Sequence, residues 1–124
     1  MIALSIVAPA VQQIIDGEKR IEVRSWTPSA PIMVDLALVE NQRYLMEDGD
    51  ESPGELRAFV DVKGFHPWSE REASTSGATW KPGYISWELS NVRELALPIV
   101  CVAKRKIYEL DEIKALPNGL IRRW

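Results

Sequence analysis

The chain is poor in the residues that build metal and redox sites. It has one cysteine and one histidine in 124 residues. A lone cysteine, Cys101, excludes an internal disulfide and any cysteine cluster. A lone histidine, His66, excludes a histidine-rich metal site, and no cysteine stands at ligand spacing from it. No metal or cofactor is therefore expected. The seven glycines are scattered, so there is no glycine-rich phosphate loop. No spacing supports a Ser/His/Asp triad. No apolar run approaches the roughly 20 residues that a membrane helix needs. The opening Met1–Ser5 lacks a basic n-region and a cleavage site. A cytoplasmic protein without a membrane segment is the expectation. An excess of positive charge is missing too. The net charge of -3 argues against coating nucleic acid through phosphate neutralisation alone.

What the chain does have is 46% hydrophobic and 27% charged residues, enough to bury one small core. Its length predicts a single domain spanning 1–124. Charge is unevenly spread. Residues 44–56 hold Glu47, Asp48, Asp50, Glu51 and Glu55 and no base, whereas residues 57–124 are net basic. The acidic stretch also contains Gly49, Pro53 and Gly54 and has no apolar period, so it reads as an exposed loop and a candidate surface for a protein partner.

Periodicity predicts a buried strand at residues 2–7, a short helix opened by Pro9 and stopped by Gly17, and alternating strands at 20–26, 31–39 and 56–65. In the first of these, Ile21 and Val23 are expected to face the core and Arg20, Glu22 and Arg24 the other side. In the second, Ile32, Val34, Leu36 and Leu38 share a face. Ser69 and Glu72 have capping-box spacing, which starts a helical turn. Two further strands are expected at 84–89 and 98–107, and a turn after Asp111. The sum is a mainly β domain with one or two short helices, closed as a small barrel or half-barrel.

The densest polar cluster is Asp16–Trp26, at a helix end, a tight turn and a strand start. Strand parity puts Glu22 and Arg24 on one face. With Lys19 they could bind a polar or anionic ligand, Arg24 as a fork donor and Lys19 as a point charge. Alternatively Lys19 acts as base or nucleophile with Glu22 as its proton partner. An exposed strand face carrying a weak Glu–Arg pair is the plainer reading. His66 is either an acid–base group or a hydrogen-bonded surface residue. Five tryptophans are many for this length. Trp26, Trp68 and Trp80 fall at strand ends or in irregular sequence, where aromatics either stack on bases or pack as a lid. Trp87 alternates with Ile85 and Leu89, as a core residue does. Lys104-Arg105-Lys106 and Arg122-Arg123 form basic clusters, either a phosphate-facing patch or a solvated face.

These features resemble the ASCH domain family, the activating-signal-cointegrator homology domains. The resemblance rests on Ala3-Leu4-Ser5-Ile6 followed by Gly17-x-Lys19-x-x-Glu22-x-Arg24-Ser25-Trp26, on Pro31–Ala37, and on Tyr84–Leu95. It implies a PUA-like β-barrel whose cleft binds single-stranded RNA or a nucleoside or nucleotide. Lys19, Glu22, Arg24, Ser25 and Trp26 would line that cleft, with Trp68 as a further stacking candidate. Some relatives are hydrolases, linked to RNA cleavage or to deacetylation of N4-acetylcytidine. The latter use the motif lysine, a threonine at the position of Glu22, and a later glutamate. Lys19 is kept, the threonine is not, and Glu70 and Glu72 are the candidates for the later carboxylate. If the chain is an enzyme, the resemblance assigns catalysis to Lys19 and Glu22. Ala10 departs from the aromatic that many members carry after the first proline, and the acidic stretch has no counterpart in the family.

Overall fold

A computed structural model describes residues 1–111. In chain order the elements are β1 (Ile2–Val7), α1 (Ala10–Ile15), β2 (Ile21–Arg24), β3 (Met33–Asn41), β4 (Glu51–Pro67), α2 (Glu70–Ser76), β5 (Ile85–Lys104) and β6 (Ile107–Glu109). The strands form one sheet in the order β2-β5-β4-β3-β1-β6. Only β1 and β3 run parallel; the other pairs are antiparallel. The expected mainly β fold with two short helices is present. The expected barrel is not closed: β2 and β6 are the two ends of the sheet and do not pair.

The local signals that depend on a few residues produce the elements expected of them. Gly17 follows α1 with φ +78°, the left-handed conformation that ends a helix at low cost. At α2 the capping box is complete. Ser69 Oγ accepts from the Glu72 backbone N–H, and the Glu72 carboxylate accepts from the Ser69 N–H.

Longer elements depart from the sequence pattern. The strands expected at 84–89 and 98–107 are joined in one continuous strand, β5, which stops at Lys104, short of the expected end, and is hydrogen-bonded along much of β4 through three register shifts. Bulges of this kind bend a strand and raise its twist, which lets one long hairpin curl without ending. The acidic stretch is a loop only as far as Asp50; Glu51–Leu56 belongs to β4. There Ser52, Gly54 and Leu56 are buried while Glu51, Pro53 and Glu55 are exposed. In β3, a register shift between Met33 and Leu36, with Asp35 at φ +57°, breaks the expected alternation. Ile32 and Val34 are exposed, whereas Leu36, Ala37, Leu38 and Val39 are all buried. Four consecutive buried residues mean that both faces of β3 are covered.

Two apolar clusters provide that cover. One gathers Leu4, Ile6, Leu36, Leu38, Val60, Val62 and Trp87 with the buried face of α1, Val11, Ile14 and Ile15. The other gathers Ala3, Ala37, Val39, Leu56, Phe59, Leu95, Cys101, Ala103 and Leu110. Trp87 is fully buried as expected, with Trp26 and Phe65 edge-on to it at 5.1 and 5.5 Å. Such contacts add about 0.5–1.5 kcal/mol to the burial itself. The turn expected after Asp111, Arg122-Arg123 and Trp124 lie outside the described residues.

Candidate functional site

Strand β2 is short and lies at one end of the sheet, paired through Ile21–Arg24 with Glu88–Ile85 of β5. Parity puts Glu22 and Arg24 on one face, as the sequence suggests. It is not a solvent face, and Ile21 and Val23 are only half-buried. Glu22 sits opposite Trp87, and its side chain is 6% exposed. The face read as outward turns inward because the curl of β5 brings β1 across from it.

Burial of a carboxylate is tolerated because two cations meet it. Lys19 Nζ lies 2.7 Å from Glu22 Oε1. Arg24 donates to Oε2 from Nη2 at 2.7 Å and from Nε at 3.0 Å. Burial pushes the Glu22 carboxyl up, but the Lys19 and Arg24 charges and their hydrogen bonds outweigh it and hold the group below the usual glutamate value. The triad carries a net positive charge. Parity did not fix where Lys19 points. The tight turn at Gly17 does, with Glu18 and Lys19 both donating backbone N–H groups to the Gln13 carbonyl.

The triad sits at the seam where the sheet fails to close. Strand β6 pairs with β1 only through Ile2–Leu4. Just beyond, the Ser5 carbonyl accepts from Arg24 Nη2 at 3.1 Å, so an arginine spans the gap that a further ladder bond would fill. Ser5 Oγ shares a 2.8 Å hydrogen bond with Tyr108 Oη. Lys106, in the turn after β5, stands 5.8 Å over the Trp26 ring. This seam opens into a cleft of about 680 Å³. It is lined by Ser5–Val7, by Lys19, Glu22, Arg24, Ser25 and Trp26, by the segment Arg43–Met46 and by Lys104–Lys106. Asn41 also lines it. Its Nδ2 donates to the Arg43 carbonyl, and its buried Oδ1 has no partner among the described residues.

Five of the six residues proposed as ligand-binding thus lie together: Lys19, Glu22, Arg24, Ser25 and Trp26. Trp68 does not line the cleft. Its ring packs against Tyr84, which does, at 5.9 Å, and its carbonyl accepts from Trp80 Nε1. Tyr44 and Met46 come to the cleft from a sequence-distant segment that gave no local signal, and Lys104–Lys106, legible in the sequence as a basic cluster, also lines it. Among the described residues no group of three or more His, Cys, Asp or Glu side chains could hold a metal.

The domain matches the ASCH domain family model over residues 4–99. The chain belongs to the ASCH domain family. Within this ASCH domain, the residues quoted for the family motif are those that cluster at the seam. No curated protein matches the chain. Among the described residues no helix is long and apolar enough to cross a membrane.

Glu70 and Glu72 part company. Glu70 is exposed at the start of α2. Glu72 accepts from His66 Nε2 at 3.0 Å and from Ser86 Oγ at 3.1 Å, and His66 Nδ1 lies 2.7 Å from Glu88. Glu72 and Lys19 both line a second hollow of about 600 Å³ beside α2. Burial pushes the Glu72 carboxyl up, but donors from Ser69, His66 and Ser86 hold it below its usual value. The hydrogen bonds to Glu88 and Glu72 push the His66 ring up.

Proposed function

We propose that this ASCH domain binds single-stranded RNA or a nucleotide in the seam cleft. The observation that carries this reading is the convergence of Lys19, Glu22 and Arg24 in its lining. A cleft of about 680 Å³ falls within the usual range for small-molecule sites, roughly 300–1,000 Å³. Arg24 Nη1 and the remaining Lys19 protons have no partner among the described residues, so they are donors for a base edge or a phosphate. Glu22 has spare lone pairs for a base amino group. Trp26 and Tyr84 offer aromatic faces, and stacking contributes about 1–3 kcal/mol per base.

A hydrolase acting on a modified nucleoside or on RNA is the second reading, favoured by the position of Lys19 between the cleft and the hollow that Glu72 lines. Against it, Lys19 Nζ is already engaged 2.7 Å from Glu22 Oε1, so attack on a substrate first requires that pair to open. One experiment separates the two. Wild type, Lys19→Met and Arg24→Met are titrated with short single-stranded RNAs and nucleosides, and the mixtures are assayed for product. Binding that falls at least tenfold in both variants, without turnover, supports a binding domain. Release of acetate from N4-acetylcytidine, or RNA cleavage, lost in Lys19→Met, supports the hydrolase. Absence of binding by wild type across the panel refutes the nucleotide reading.

A further inference from the structure

The cations of the cleft fall into two groups, one built around a carboxylate and one without such a partner inside the cleft. Beside β2 stands a carboxylate, Glu22, already met by Lys19 and Arg24. The end of β5 and the turn after it carry three consecutive cations, Lys104, Arg105 and Lys106, all of which line the cleft. Among the described residues neither Lys104 nor Lys106 makes an ion pair; Lys106 is over the Trp26 ring instead. Arg105 does have an anion. Asp48, from the acidic loop, lies 2.5 Å from its Nη1. Asp48 is 89% exposed and Arg105 is partly exposed, so the pair is worth no more than about 1 kcal/mol and is readily displaced.

We propose that the turn Lys104–Lys106 is a phosphate subsite of the cleft, with Asp48 occupying the anion position when no phosphate does. The proposal rests on the nucleotide reading and adds polarity to it. At the triad Glu22 already offsets much of the Lys19 and Arg24 charge, so a phosphate is drawn more strongly to the three cations of the turn, whereas a neutral base is accommodated beside Glu22, Trp26 and Tyr84. An arginine flanked by two lysines suits an oxyanion, one supplying a fork and the others point charges. Asp48 competes for the same guanidinium, so phosphate binding releases the acidic loop from the turn. This gives a role to the acidic segment that the family pattern does not explain.

The test is calorimetric titration at low salt with the four ribonucleosides, their 5′-monophosphates and inorganic phosphate. The proteins are wild type, the double variant Lys104→Ala/Arg105→Ala, and Asp48→Asn. Monophosphates should bind wild type at least tenfold more tightly than the matching nucleosides. The double variant should erase that difference while still binding nucleosides. Asp48→Asn should tighten monophosphates several-fold and leave nucleosides unaffected. Equal affinity for nucleosides and monophosphates, or a phosphate gain that survives the double variant, overturns the subsite while the nucleotide reading stands. Binding of inorganic phosphate that the double variant abolishes, with nucleosides silent, supports the anion site and refutes the base site. Silence of wild type toward every probe overturns both.

Discussion

Replacing Glu22 by glutamine removes one negative charge from the seam and keeps the side chain's shape. In the wild type both carboxylate oxygens are engaged, Oε1 with Lys19 and Oε2 with Arg24. After the change, two cations face each other across a neutral amide that can satisfy only one of them as an acceptor. Removing one partner of a buried ion pair typically costs about 3–5 kcal/mol. Lys19 and Arg24 retain 29% and 24% side-chain exposure, so water recovers part of that. A loss of about 2–3 kcal/mol is expected at pH 7. For a domain of this size that lowers Tm by roughly 8–12 °C. The loss should depend on pH. The Glu22 carboxyl is held below its ordinary value of 4.5, so its stabilisation is complete above that pH and fades as pH falls through the lower folded-state value. Urea unfolding followed by tryptophan fluorescence at pH 7, 5 and 3 measures the gap between the two proteins. A gap below about 0.5 kcal/mol at pH 7, or one that is unchanged at pH 3, would refute the account of the seam as a neutralised buried carboxylate.

His66→Gln tests the fastener between β4, β5 and α2. Both His66 partners are carboxylates, so both ring nitrogens must carry protons, and the ring is held above its ordinary 6.5. The stabilisation is present below pH 6.5 and lost as pH rises through the higher folded-state value. Because the side chain is 38% exposed, the variant should cost less than about 1 kcal/mol at pH 5.5 and nearly nothing at pH 9; denaturant midpoints at the two pH values check this. Gly54→Ala places a Cβ 2.8 Å from Val39 Cγ1 and 3.0 Å from the Glu40 carbonyl, and should destabilise by about 1–3 kcal/mol in thermal unfolding. Ser69→Ala removes the α2 cap and should cost about 1 kcal/mol in thermal unfolding, with faster exchange of the Glu72 amide.

Features decided within a few residues were legible. The stop at Gly17 and the Ser69–Glu72 capping box each follow from one turn of chain and its own hydrogen bonds. Strand parity likewise linked Glu22 to Arg24. It could not say which face of β2 looks inward, since that depends on the curl of β5. The strand Glu51–Leu56 was hidden for a related reason. Its buried positions alternate, but two of them are Ser52 and Gly54, which carry no hydrophobic signal. Gly54 is small because β3 and Ala103 approach it closely, a contact between segments far apart in sequence.

The sequence by itself determined the mainly β composition, the ASCH motif and the set of polar side chains from Lys19 to Trp26. Those depend on local propensity, periodicity and residue chemistry. Only the tertiary structure decided that the sheet stays open between β2 and β6, that Arg24 spans the gap to Ser5, and that the acidic loop meets the basic turn through Asp48 and Arg105. These depend on how far bulges bend a twenty-residue strand, a sum of small long-range packing choices that no single segment encodes.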